Sequence, residues 1–235
     1  MSDSNSSAKD GCDKSGIDDR YELLKPYLSE RRKLRFEEVL NRRTDRICVV
    51  VEDLFQPHNA SAVVRSCDGF GIQNLHAIEV ENAFAVVDSI AKGAGKWIDL
   101  HHHRGVEACF SSLRDAGYRI AVTSPHADGY TPEDVPLDKP LAVVFGSEGP
   151  GASDAVLSGA DCTIRIPMEG FTESFNISVA AALTLSDISR RLRRSEAPWK
   201  LGDETRNRLL GDWSERTVKD ATGIMEYERQ RSASK

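Results

Sequence analysis

The chain lacks any run approaching the ~18 apolar residues that a membrane-spanning helix needs, which excludes such a helix. Its opening stretch, MSDSNSSAKDGCDKSGIDD, has no apolar segment of the kind a secretory signal carries, so none is expected. Cysteine is sparse and scattered: Cys12, Cys48, Cys67, Cys109 and Cys162 form no CxxC pair. An odd, dispersed set argues against a disulfide framework and for a reducing compartment, with the cytoplasm as the default. Two phosphate-binding signatures are also missing. The glycine clusters at 69–71, 93–95 and 146–151 do not complete G-x-G-x-x-G, and no G-x-x-x-x-G-K-[ST] occurs. A Rossmann dinucleotide site and a P-loop are therefore disfavoured. No internal repeat is found.

What remains is an ordinary globular composition. The 235 residues are 40% hydrophobic and 29% charged, enough for one large domain with extensions. The net charge of −6 does not suggest a nucleic-acid binder as a whole. Patches tell otherwise: RRKLRFEEVLNRRTDR at 31–46 carries seven basic residues against three acidic ones, and RRLRR at 190–194 carries four more.

Residues 1–20 read as a disordered tail and 21–46 as a basic helical extension. From ICVVVE onward, strands alternate with helices. Strands are expected near 48–52, 75–80, 97–101, 118–124, 141–146 and 162–167. Helices are expected at 59–69, 105–116, 153–158 and 177–194. Asn59 is the expected N-cap of the first of these, and Gly69 or Gly71 closes it. This order implies an α/β fold with a mostly parallel sheet flanked by helices over 47–194. Residues 195–235 read as a C-terminal helical extension and tail, with one helix over 203–218 and a frayed end after 219. Trp199 and Trp213 read as packing residues.

Several residues carry a chemical case. GSEGPG follows the strand LAVVF, and ligands in parallel sheets bind beyond the C-terminal ends of strands. The plain alternative is a tight strand-to-helix turn. Arg65 sits on a helix that is otherwise small or apolar, so it needs an ion-pair partner or a phosphate in a cleft. Ser174 or Asn176 either caps the helix that follows or lines a ligand loop. His101, His102 and His103 are adjacent, with no Asp, Glu or Cys at ligand spacing in the sequence. They read as an exposed strand end or RNA-facing edge, and no metal is expected.

Three blocks together resemble the SpoU/TrmH family of RNA 2′-O-ribose methyltransferases, within the SPOUT superfamily. They are PHNASAVVRSCDGFG (57–71), VVFGSEGPG (143–151) and IPMEGFTESFNISVAAAL (166–183). The segment AKGAGKWIDLHHHRGVEA (91–108) and the basic helix before the first strand are similar to the tRNA guanosine methyltransferase branch. The resemblance implies a C-terminal deep trefoil knot, S-adenosylmethionine (SAM) as cofactor, and a homodimer with sites at the subunit interface. It implies catalytic roles for Arg65, Asn59, Glu148, Ser174 and Asn176. It implies a SAM pocket formed by Thr123, Gly146, Ile166, Met168, Ser174, Phe175 and Asn176. RNA phosphates would meet Arg32, Arg35, Arg42, Arg43, Arg190, Arg191, Arg193 and Arg194. The implied substrate is the ribose of a tRNA D-loop guanosine. The open alternatives are rRNA or another tRNA position and a catalytically silent RNA-binding paralogue.

Three positions depart from the pattern. Gln56 stands where the family has Lys, Phe175 where it has Leu, and Gly149 where the tRNA branch has Lys. They bear on which nucleotide is modified rather than on the reaction. The family assigns the arginine as general base, yet taking a proton from a free arginine at pH 7 costs about 7 kcal/mol or more. The other role is a cation that binds phosphate and stabilises the developing alkoxide.

Overall fold

The computed structural model describes residues 18–233. The expected disordered tail through residue 17, Cys12 included, lies outside the described residues. The described residues up to Leu40 and from Gly202 onward form one unit, and Asn41–Leu201 form the other. No helix among the described residues is long and apolar enough to cross a membrane.

The larger unit holds a six-stranded, all-parallel sheet in the order β3-β2-β1-β5-β4-β6. The strands are β1 (Thr44–Glu52), β2 (Ile72–Ile78), β3 (Asp99–His103), β4 (Arg119–Thr123), β5 (Leu141–Phe145) and β6 (Cys162–Ile164). Strands β1 and β5 are central and apolar on both faces, as the uninterrupted β-branched runs predict. Their side chains alternate between two cores. Ile47, Val49, Val51, Leu141, Val143 and Phe145 face one layer, and Cys48, Val50, Ala142 and Val144 face the other.

Helices α3 (Pro57–Phe70) and α7 (Ile177–Arg194) cover the first face, and α5 (Val106–Asp115) and α6 (Asp154–Gly159) cover the second. Helix α4 (Asp88–Ala91) packs beside α3. Small residues on α7, Ala181 among them, let it approach α3 and the sheet closely. Gly71 closes α3 in the left-handed conformation at φ 72°. A Cβ there would lie 2.5 Å from the Arg42 carbonyl, so only glycine fits.

Three expectations are corrected. Asn59 does not cap α3. The cap position is Gln56, Pro57 opens the helix, and Asn59 lies inside it, only 4% exposed. Proline's fixed φ suits the first helical position, which moves the start two residues earlier. The chain after 219 is not frayed through residue 233: it forms α9 (Ala221–Ala233). Its Ala221 and Met225 pack on Leu24 of α1 (Arg20–Leu24), a partner too short for its periodicity to stand out in the sequence. The strand expected at 162–167 ends at Ile164, which leaves residues 165–176 as a loop before α7.

The smaller unit also contains α2 (Glu30–Leu40) and α8 (Asp203–Glu215). Trp213 is buried edge-on against Phe36, with ring centroids 5.5 Å apart. Arg20 ties the unit together through Asp18, Asp212 and Glu215.

Candidate active site

In an all-parallel sheet the C-terminal ends of the strands lie along one edge. A cavity of about 470 Å³ opens there, at the ends of β4, β5 and β6. That volume is within the roughly 300–1,000 Å³ of ordinary small-molecule sites. Thr123, Gly146, Ile166, Met168, Ser174, Phe175 and Asn176 all line it, as does Glu148. Apolar walls from Phe145, Ile164 and Ala180 alternate with backbone and hydroxyl groups.

The β5–α6 loop shapes one wall. Ser147 and Gly151 exchange backbone hydrogen bonds at 3.0 and 3.1 Å, and Gly149 and Gly151 take positive φ to close the turn. Gly146 lies so close beneath that an added Cβ would be 2.1 Å from the Ala152 nitrogen. Glu52, 5% exposed at the end of β1, anchors the loop's exit by accepting from the Ser153 amide and hydroxyl. The Ser153 hydroxyl oxygen in turn caps α6 at the Val156 amide. Sequence reading missed Glu52, although a carboxylate ending a continuous apolar run was a signal that it is buried for a purpose.

Beside the cavity a chain of side-chain hydrogen bonds joins all three motif blocks. The Ser178 amide and hydroxyl donate to Asn176 Oδ1 at 2.9 and 2.6 Å. Asn176 Nδ2 donates to Asn59 Oδ1 at 3.2 Å. Asn59 Nδ2 donates to Glu148 Oε1 at 2.8 Å and to Gln56 Oε1 at 3.3 Å. The other Glu148 oxygen accepts from the Phe55 amide at 3.1 Å. Asn176 is thus both the N-cap of α7 and a member of this relay, so the two readings of that residue are compatible.

Arg65 stands apart from the relay. It is exposed on α3 in a shallow recess with His58, Ala62, Ser66, Ile90 and Ser178, and no described side chain pairs with it. Ser178 borders both the recess and the relay. Ser174 lines the cavity but takes no part in the hydrogen-bond chain described here.

The basic residues divide. Arg32, Arg35, Arg42, Arg190 and Arg194 are exposed; Arg35 pairs with Glu38 and Arg190 with Asp187. Arg43 leaves the phosphate-facing set: it is 1% exposed and donates to Asp68 and the Ile72 carbonyl. Arg191 donates to the Pro132 and Val135 carbonyls at 2.8 Å. Arg193 donates to the Phe70, Ser189 and Arg42 carbonyls and lies over Trp199. All three guanidiniums hold carbonyls of the fold, Arg43 buried and Arg191 and Arg193 half-buried. His101 and His102 are exposed at the end of β3, as expected, and His103 is half-buried. Tertiary folding brings Cys109 and His76 beside His103, and Glu79 to 3.1 Å from His102.

A family model described as the SpoU rRNA Methylase family matches residues 46–186. The chain belongs to this family. A relative from Borreliella burgdorferi, named tRNA (guanosine(18)-2′-O)-methyltransferase, is 33% identical over 86% of this chain and 92% of its own length. Among solved structures, the Aquifex aeolicus TrmH/SpoU tRNA modifying enzyme superposes with a TM-score of 0.73 at 29% identity. That alignment covers 81% of this chain and 98% of the other. The SpoU methyltransferase AviRb from Streptomyces viridochromogenes, solved with AdoMet, shares the fold at a TM-score of 0.55 and 24% identity. It is covered over 62% of its length and 68% of this chain. The family match thus spans the sheet, the cavity and the relay.

Proposed function

We propose that the protein is a SAM-dependent methyltransferase acting on the ribose 2′-oxygen of a guanosine in the tRNA D-loop, the nucleotide that its relatives' names give as guanosine 18. The observation that carries the reading is the relay of Asn59, Glu148 and Asn176, which joins three separate blocks of sequence beside one cavity. The lining suits SAM: apolar walls accept a purine and the carbons flanking the sulfonium, while Thr123 and loop backbone groups offer polar contacts. When bound there, SAM supplies a methyl group already activated on a positive sulfur, so the protein's task is alignment and charge management.

Gly146 and the glycine turn after it let a ligand lie against the backbone. The residues 165–176 loop, with Ile166, Met168, Ser174 and Phe175, closes the other side. The relay fixes the position of the Asn176 side chain and hence the start of α7 beside the cavity. Arg65 is exposed and unpaired among the described residues, so its guanidinium is available to the substrate. A base role would need surroundings that strip the cation of water, and the exposed recess does not provide them. We therefore assign Arg65 to holding a phosphate and stabilising the developing 2′-alkoxide. Gln56, at the position where the family has Lys, accepts from Asn59 and steadies the relay.

The same reading includes a trefoil knot in the chain from β5 to α7 and a homodimer. Val179 and Leu183 on α7, with Phe175 just before it, leave exposed apolar surface, the kind of face a second copy covers. Arg32, Arg35, Arg42, Arg190 and Arg194 are the exposed cations assigned to RNA phosphates. Cys48, Cys67, Cys109 and Cys162 are free thiols, which suits a cytoplasmic enzyme.

The test incubates the purified protein with labelled SAM and, separately, unmodified tRNA and rRNA transcripts. Nuclease digestion and mass spectrometry then locate any 2′-O-methylnucleoside. Methylation at one D-loop guanosine is the expected result. Methylation of rRNA alone would overturn the substrate, and SAM binding without transfer to either would favour a silent paralogue.

A further inference from the structure

Strands β2 and β3 run parallel with His76 opposite His101 and Ile78 opposite His103. Three imidazoles therefore collect at this edge of the sheet. The His76 ring stacks on His101 at 4.5 Å and on His103 at 5.2 Å between centroids, with the planes within 20°. His76 Nδ1 and His103 Nε2 lie 3.0 Å apart. Helix α5 packs over the same face and delivers Cys109. One ligand atom from each of His76, His103 and Cys109 falls within 4.8 Å of the other two.

Packing alone does not require this chemistry. His76 is buried, and Cys109 lies in an apolar core with Ile78, Phe110 and Leu113, where a hydrocarbon side chain would fill the same space. Two imidazole nitrogens and a sulfur within 4.8 Å of one another form a recognisable donor set. Hard cations such as magnesium and calcium prefer oxygen, whereas nitrogen with thiolate sulfur suits zinc. Tetrahedral zinc, with bonds of about 2.0–2.3 Å, needs donor atoms roughly 3.3–3.6 Å apart. The imidazole pair already stands close to that spacing, and the sulfur needs only a modest approach.

We propose that His76, His103 and Cys109 form a binding site for a borderline-soft divalent ion of the zinc class, clamping the edge strand β3 to α5. Half-exposed His103 opens the site to solvent, and water completes the coordination. On loading, the Cys109 sulfur–hydrogen bond breaks and its proton leaves to solvent as the sulfur–metal bond forms. Whichever of His76 Nδ1 and His103 Nε2 carries the proton between them, that ring moves it to its other nitrogen, with no net change. Burial, reinforced by the neighbouring imidazoles, holds His76 down to about 3, so it is already in the neutral form that binds metal. Burial pushes the Cys109 thiol up to about 12, so one proton is released per ion bound. The site uses no residue assigned to methyl transfer, and it stands or falls separately from that reading.

The test titrates untagged, chelator-treated full-length protein with Co(II) and reads absorption. Saturation at one equivalent, thiolate-to-cobalt charge transfer in the near ultraviolet and displacement by Zn(II) are expected. Zn(II) alone should raise the melting temperature by several degrees. A Cys12→Ser/Cys162→Ser variant should keep the band, Cys109→Ser should lose it, and His103→Asn should weaken binding at least tenfold. The half-exposed His103 gives a variant that keeps the test decisive if the buried Cys109→Ser chain fails to fold by circular dichroism. Absence of the band, or a band that survives in His103→Asn and vanishes in the Cys12→Ser/Cys162→Ser variant, would overturn the proposal.

Discussion

Asn59 Nδ2 donates to Glu148 Oε1 at 2.8 Å, and this bond and the Ser178 amide fix, from opposite ends, the direction of the hydrogen bonds between them. A carboxylate only accepts, so Asn59 must present its amide nitrogen to Glu148 and its oxygen to Asn176. Asn176 then presents its own oxygen to the Ser178 amide and hydroxyl in the first turn of α7. Glu148→Gln keeps the shape but can donate, which removes the bias at the Glu148 end and weakens the charge-assisted bond to Asn59. We expect a loss of about 10- to 100-fold in kcat/KM, in line with ~1.5–3 kcal/mol for hydrogen bonds to charged groups. Single-turnover methyl transfer measures it. Asn59→Ala and Glu148→Ala combined should cost less than the sum of the two alone. Strict additivity would show that the residues act independently.

The position of Arg65 outside the relay makes a different prediction. Arg65→Ala should lose ~10³-fold or more in methyl transfer with SAM affinity retained, because the recess lies beside the cofactor cavity rather than in it. The diagnostic variant is Arg65→Lys. A lysine can still hold a phosphate, so partial activity with an unchanged pH–rate profile is expected. A new apparent pKa near that of lysine would instead assign this side chain the base role.

How much of this was legible in the sequence depends on the range of the interaction. The uninterrupted apolar, β-branched runs of β1 and β5 announce strands buried on both faces, and the glycine turn after LAVVF announces the ligand edge. The motif blocks pointed to Asn59, Glu148 and Asn176 and to the lining residues that the cavity gathers. What was not legible is pairing across the chain. Arg43 looked like its neighbour Arg42, yet it is buried on Asp68. Cys109 lies six residues beyond the histidine run, and only the packing of α5 on β2 and β3 brings it to His103. Asn59 was read as a cap because local rules favour that role, whereas its partner Glu148 is supplied by a different strand's loop.

Arg43 separates structural from RNA-facing cations. Burial alone lowers the pKa of its guanidinium, and Asp68 opposes that by pairing with it. Asp68→Ala leaves a buried charge uncompensated and should cost about 3–5 kcal/mol in urea unfolding. Arg43→Met, which removes the charge together with its need for a partner, should cost less. Its RNA affinity should keep the wild-type salt dependence. Arg194→Ala should leave stability unchanged and reduce the slope of log K against log salt by about one.

Asp53 offers a test by pH. It follows β1 in the left-handed region at φ 47°, a conformation asparagine tolerates well. Burial pushes its carboxyl up, but the amides of Val80, Glu81 and Asn82 and the Asn82 side chain outweigh this and hold it below the usual carboxylate range. The folded state therefore binds a proton less readily than the unfolded chain, whose carboxylate titrates near ~3.9. The stabilisation is fully present above about pH 5 and is lost as pH falls through the folded value. Asp53→Asn should thus unfold at lower urea than the wild type at neutral pH, and the gap should narrow steadily in acid. Other carboxylates titrate in both proteins and cancel in the difference. A gap that stays constant down to about pH 3 would mean that the loop is held by the shape of the turn and that the charge of Asp53 contributes nothing.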